Sequence, residues 1–179
     1  DFENPAAIHP FTPGARGWQG SPLWSAARGD EFSVILARVP DVRSRHGQCH
    51  AALGYGLATG EGKGRIASGT RATLLQEIHN PRPGKYVFRV YASGGAFDRA
   101  DYFRDVWRRN FTCRLVLFGY QTEERDPTKI VEFASTSFVP EFAGAYEAAY
   151  RPFSVEATLN SQAHNANQLR HGIGVAVIV

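Results

Sequence analysis

His46-Gly-Gln-Cys-His50 is the densest group of metal-ligating residue types in the chain. Three donors within five residues can chelate an ion, but Cys49 and His50 on a strand would point to opposite faces. Haem attachment of the c type needs a cysteine where His46 stands. The group reads as the start of a strand with exposed histidines. Gly60-Glu-Gly-Lys-Gly64 carries the Gly-Lys of a phosphate loop, yet Leu57 holds the first glycine position and Gly64 the hydroxyl position. It reads as a flexible turn. There is no G-x-S-x-G elbow for a serine hydrolase and no His-x-His pair of the cupin kind. Glu132, Glu141, Glu147 and Glu156 are available as paired carboxylates for glycoside hydrolysis, which needs two acids about 5–10 Å apart. Acids on strands usually form solvated faces, and that is the expectation for these four. The Asn110-Phe-Thr112 sequon acquires meaning only in a eukaryotic secretory host.

Charge narrows the classes further. The 179 residues carry 20 basic and 17 acidic side chains, a net charge of +3. Seventeen of the bases are Arg and only Lys63, Lys85 and Lys129 are Lys. Arginine supplies a planar fork for carboxylate, phosphate or sulfate, although a GC-rich genome would give the same bias. The bases are spread along the chain and accompany no zinc-finger or RNP-like motif, so nucleic acid is not expected as a partner. The longest apolar run, Ile173–Val179, is far short of the ~20 residues of a membrane helix, and no membrane insertion is expected. The two cysteines, Cys49 and Cys113, both fall in strand-like runs. A bridge between them would close a loop of about 65 residues, worth roughly 4 kcal/mol in the chain-entropy model. Two buried free thiols are an equally reasonable reading. The chain contains no Met, opens on Asp1-Phe2 and stops inside an apolar run. This predicts one domain, 1–179, cut from a larger multidomain protein whose other domains are its neighbours.

The elements that must position any site are short strands separated by turn residues. Runs at Ser33–Val39 and Cys49–Leu57 come first. Ala72–His79 and Lys85–Ala92 flank Asn80-Pro-Arg-Pro-Gly84, and the turn chemistry there predicts an antiparallel pair. In the second run Tyr86, Phe88 and Val90 share one face, and Val87, Arg89 and Tyr91 the other. Phe111–Gly119 and Lys129–Phe138 repeat the arrangement around Gln121–Pro127. Phe153, Val155, Ala157 and Leu159 alternate with Ser154, Glu156 and Thr158, a period of two with one wet face. Ile173–Val179 is apolar on both faces apart from its glycines and should be a central strand. Within 97–110, Tyr102, Phe103, Val106 and Trp107 recur at helical spacing, with Asp98 and Asp101 in the first turn and Arg108 and Arg109 in the last. About eight strands and one short helical insertion predict an all-β fold, a β-sandwich of jelly-roll type.

The order of several features then resembles a known group. Phe2-Glu3-Asn4-Pro5 is followed by Trp18, by Leu75-Gln76-Glu77-Ile78, and by Pro83-Gly84-Lys85-Tyr86-Val87-Phe88-Arg89-Val90-Tyr91-Ala92. This resembles the jelly-roll carbohydrate-binding modules and their galactose-binding-like relatives. The likeness is best in the N-terminal half; the C-terminal half matches only as strands in the expected order. The resemblance implies a structural calcium ion near the first strand, with Glu3 and Asp1 as its matching ligands. The acidic ligand such domains carry near the C-terminus is missing, since no Asp or Glu follows Glu156.

Sugar binding needs aromatic platforms for apolar sugar faces and planar polar groups for hydroxyls. The loop candidates are Trp24, Tyr102, Trp107, Arg108, Arg109, Tyr146 with Tyr150, and Asn165 with Asn167, Gln168 and Arg170. Trp18 matches a core position, and Trp107 on a helical stripe has packing as its competing role. The expected function is a non-catalytic, extracytoplasmic carbohydrate-binding module with a loop-built cleft for a polysaccharide or oligosaccharide. The alternatives are a protein-interaction or spacer module on the same fold, or a polysaccharide-active enzyme.

Overall fold

A computed structural model describes residues 8–10, 24–26, 34–38, 45–46, 49–53, 72–78, 80–96, 112–126, 129–145, 148–160 and 168–179. Strands dominate them: β1 (Ile8–Pro10), β2 (Trp24–Ala26), β3 (Val34–Arg38), β4 (Cys49–Leu53), β5 (Thr73–Ile78), β6 (Gly84–Ala92), β7 (Gly94–Ala96), β8 (Cys113–Tyr120), β9 (Ile130–Phe138), β10 (Phe142–Ala145), β11 (Arg151–Leu159) and β12 (Ile173–Ile178). A six-stranded sheet runs β1-β2-β5-β12-β8-β9; β6 with β11, β3 with β4 and β7 with β10 form separate pairs. The result is an all-β sandwich. The expected helical insertion at 97–110 lies outside the described residues.

The two-residue period explains which faces meet. On β6 and β11 the side chains of Tyr86, Phe88 and Val90 and of Phe153, Val155 and Ala157 turn inward. They pack with Leu115, Leu117 and Val175 of the large sheet to form the inter-layer core. Phe138 and Phe153 stack with centroids 3.8 Å apart and tie β9 to β11. The other face of the large sheet buries Leu75, Val116, Phe118, Tyr120 and Ala176. Because both its faces are covered, β12 can afford almost no polar residue, and it sits between β5 and β8 as the continuous apolar run requires. Gly174 on this strand serves close packing: a Cβ there would lie 2.6 Å from Phe118 Cζ and 2.8 Å from the Gln76 carbonyl oxygen.

The β8–β9 hairpin forms as the sequence suggests, with a bulge that leaves Phe133 unpaired between Glu132 and Ala134. The expected pairing of the runs on either side of Asn80–Gly84 does not form. β5 pairs with β2 and β12, while β6 pairs over nine residues with β11. The turn carries the chain from one layer to the other. Pro81 and Pro83 have no N–H to contribute to a hairpin ladder, and Asn80 takes the left-handed conformation (φ 49°). The Tyr86 hydroxyl holds the turn by accepting from the Arg82 N–H at 2.9 Å and donating to the Arg82 carbonyl.

Cys113 begins β8 as a buried free thiol. The bridge to Cys49 is therefore not made in this structure, and the alternative of a packed thiol describes Cys113. Burial pushes its pKa up to about 12, the behaviour of a small apolar core residue rather than of a reactive nucleophile.

Candidate functional site

The wet face of the β6–β11 pair is the most chemically varied surface among the described residues. Pairing sets Lys85 opposite Thr158, Val87 opposite Glu156, Arg89 opposite Ser154 and Tyr91 opposite Pro152. All eight are exposed. Val87 and Tyr91 are unusual for this, at 53% and 40% exposure. Lys85 bonds Glu156 across the strands at 2.9 Å. At the other end the guanidinium carbon of Arg45 lies 3.4 Å from the centre of the Tyr91 ring, a cation–π contact. The Tyr91 ring is thus part-exposed, with one face covered by the Arg45 guanidinium from a loop and Arg89 beside it on the strand.

Next to this face, a shallow groove of about 420 Å³ runs between β9 and β11, lined by Val131, Glu132, Phe133, Glu156, Ala157, Thr158 and Leu159. Phe133, the residue the bulge leaves unpaired, is among the lining residues. Two of the four acids considered from sequence meet here. Each is engaged. Arg114 Nη2 donates to both Glu132 oxygens at 2.7 Å, Ser135 Oγ donates to Glu132 Oε1 at 2.6 Å, and Glu156 holds Lys85. Both carboxylates are more than a third exposed.

A third cluster closes the end of the large sheet. Tyr120 OH donates to Glu77 Oε1 at 3.1 Å and Arg125 Nη1 to Glu77 Oε2 at 2.7 Å, while Arg125 Nε reaches the His171 carbonyl at 3.1 Å. Burial first, then the Glu77 carboxylate, drives the Tyr120 phenol far above its ordinary pKa, so it stays a neutral donor. Residues 168–171 form one helical turn, and the Gly172 carbonyl accepts the Tyr120 N–H at 3.0 Å. This cluster locks the 121–126 turn and the helical turn onto the strand ends. Arg125→Ala should cost about 1–2 kcal/mol, since it leaves the nearly buried Glu77 carboxylate with one donor, discounted for the half-exposed arginine. In Glu77→Gln the same arginine change should cost much less, which a double-mutant cycle by urea unfolding measures.

The residues singled out from sequence are placed unevenly. Trp24 lies in β2, paired with Ile8, and its side chain is outside the description. Tyr102, Trp107, Arg108, Arg109, Tyr146 and Asn165 lie outside the described residues, as do Asp1 and Glu3, the ligands implied for calcium. Among the described residues no group of three or more His, Cys, Asp or Glu side chains could hold a metal, and no helix is long and apolar enough to cross a membrane. Tyr150 is half-buried, and burial pushes its phenol pKa up. Gln168 packs against Gly119 inside the protein, and Arg170 pairs with Glu123 at 3.4 Å. Sequence reasoning did not single out Tyr91 and Arg45 as a site. The signal for Tyr91 was its place beside Val87 and Arg89 on the face opposite the core; nothing local announced Arg45. Comparison with protein-family models, with curated proteins and with solved structures gives no match. Fold and surface define the class, an all-β sandwich with an exposed tyrosine–arginine face.

Proposed function

We propose that this domain is a non-catalytic carbohydrate-binding module whose ligand lies along the outer face of β6 and β11. The observation that carries the reading is Tyr91, an aromatic ring part-exposed on a strand, with Arg45 over one face, its remaining surface open to a sugar and hydrogen-bonding side chains around it. Apolar faces of sugar rings pack on such a ring, and guanidinium groups and hydroxyls meet the sugar oxygens. Arg45, Arg89, Ser154 and Thr158 supply those groups. Nine residues of β6 give a platform about 30 Å long, enough for an oligosaccharide, and the groove beside β11 widens it. A surface of this kind on one sheet extends the site beyond the loop cleft expected from sequence.

Tyr91→Ala should weaken sugar binding about tenfold, the loss of a ring contact worth about 1 kcal/mol or more, while the melting temperature stays nearly unchanged because the side chain is exposed. Affinity electrophoresis over neutral and acidic polysaccharides, followed by calorimetry, reads both quantities. Failure of the folded domain to bind any of them overturns the proposal.

The groove brings Glu132 and Glu156 to one place and so favours the enzymatic alternative to that extent. A general acid, however, works from apolar surroundings, whereas these carboxylates are solvated and face cations. For a protein-interaction module the exposed apolar strip is short: Val87 and Tyr91 stand among charged neighbours, and a stable interface covers about 800 Å² on each partner.

A further inference from the structure

The lysine and arginine side chains that the structure describes fall into two groups. Lys85, Arg114, Arg125, Lys129, Arg151 and Arg170 each have a carboxylate partner within 4 Å. Arg45, Arg82 and Arg89 are exposed and have none among the described residues. These three arginines all gather around one strand. Arg89 lies on β6, Arg82 is in the turn that enters it, and Arg45 rests on Tyr91 near its end. The single carboxylate on the outer face, Glu156, is already bonded to Lys85 at the opposite end. Among the described residues, then, no carboxylate pairs with the arginines around Tyr91, whereas the other described cationic side chains each have one. An exposed arginine with no described carboxylate on it keeps its planar fork open to a ligand, and that fork suits carboxylate and sulfate. Arg89 and Tyr91 are two residues apart on the same face, about 7 Å. A sugar ring against Tyr91 would hold its acidic substituent, or that of the next sugar, within reach of either arginine. A guanidinium lying over a ring keeps its N–H edge for such an anion.

We propose that the ligand of this face is an acidic polysaccharide, with carboxylate or sulfate groups on Arg45 and Arg89 and a sugar ring on Tyr91. The proposal rests on the carbohydrate-binding reading and names its ligand class. The test is affinity electrophoresis of the 179-residue domain in polygalacturonate, in chondroitin sulfate and in two neutral polymers, xylan and dextran. The acidic gels should retard it at least about tenfold more strongly than the neutral ones, and the two acidic gels compare carboxylate with sulfate. The double variant Arg45→Gln/Arg89→Gln should lose about tenfold or more in the acidic gels and clearly less, about two- to threefold, in the neutral ones, where the glutamine amides still donate to sugar hydroxyls. Tyr91→Ala should lose in both, and Arg170→Gln, whose arginine is already paired, in neither. Equal retardation in neutral gels with no effect of the arginine variants overturns the acidic class and leaves carbohydrate binding standing. No retardation in any gel overturns both. Acidic retardation that ignores Tyr91→Ala, or that single-stranded DNA competes away at equal charge, is unspecific charge attraction and overturns the inference too.

Discussion

Leu115→Ala should lower the unfolding free energy by about 3–5 kcal/mol. Leu115 is fully buried, at 0% exposure, and it sits where the two layers meet, in the cluster with Phe88, Leu117, Val155 and Val175. Its strand is hydrogen-bonded on both sides, to β9 and to β12, so the backbone cannot follow the shrinking side chain. Across the core, β6 and β11 are bonded to each other over nine residues and move only as a pair. The cavity therefore stays open, which places the cost toward the upper end of its range. A loss of this size is a large part of the 5–15 kcal/mol of a typical domain, and the urea midpoint should fall steeply at an unchanged slope. Val87→Ala, on the same sandwich but exposed, should shift the midpoint by less than about 0.5 kcal/mol. A Leu115→Ala cost below about 1 kcal/mol would mean that the layers do not pack there.

This layer contact was legible in part. The alternation of β11 and the two-faced apolar run of β12 each state how many faces of a strand are buried, and the structure agrees on both. The partner of β6 was not legible. Asn80-Pro-Arg-Pro-Gly84 says that the chain reverses, but a reversal inside one sheet and a crossing between two sheets use the same turn residues. Burial of Phe88 against Leu115 and Leu117 decides between them, and that contact is far away in sequence. The candidate site divides in the same way. An outward face with Val87, Arg89 and Tyr91 follows from the strand period alone. The contact of Arg45 with Tyr91 joins residues 46 positions apart, and the groove is lined by two strands, β9 and β11, that are not neighbours in sequence; neither has a local signature. Attention to loop aromatics followed from where ligands commonly bind, whereas exposure of a ring on a strand became visible only with the fold.

Raising the pH from 8 to 11 under reducing conditions should destabilise the domain by several kcal/mol, with Cys113 the first contributor. Its thiol titrates at 9.0 when exposed and at about 12 in the fold, because burial opposes the thiolate. A folded-state pKa raised above the unfolded one gives stability that is complete below the unfolded value and is lost as pH climbs toward the folded value, since only the unfolded chain releases the proton. The window is therefore pH 9 to 12, and by pH 11 the thiol alone should account for roughly 2–3 kcal/mol. Tyr120 acts in the same direction from about pH 10 upward, because burial and the neighbouring Glu77 carboxylate hold its phenol neutral in the fold. Reductant keeps Cys113 as the free thiol seen in β8. Cys113→Ala removes the first component, so its stability should hold level from pH 8 to about 10 and then fall with the Tyr120 contribution. Urea unfolding at half-unit steps of pH reads both curves. Parallel curves for the two proteins would show that Cys113 is not held in a buried, thiolate-excluding site, and the packing assigned to the start of β8 would be wrong.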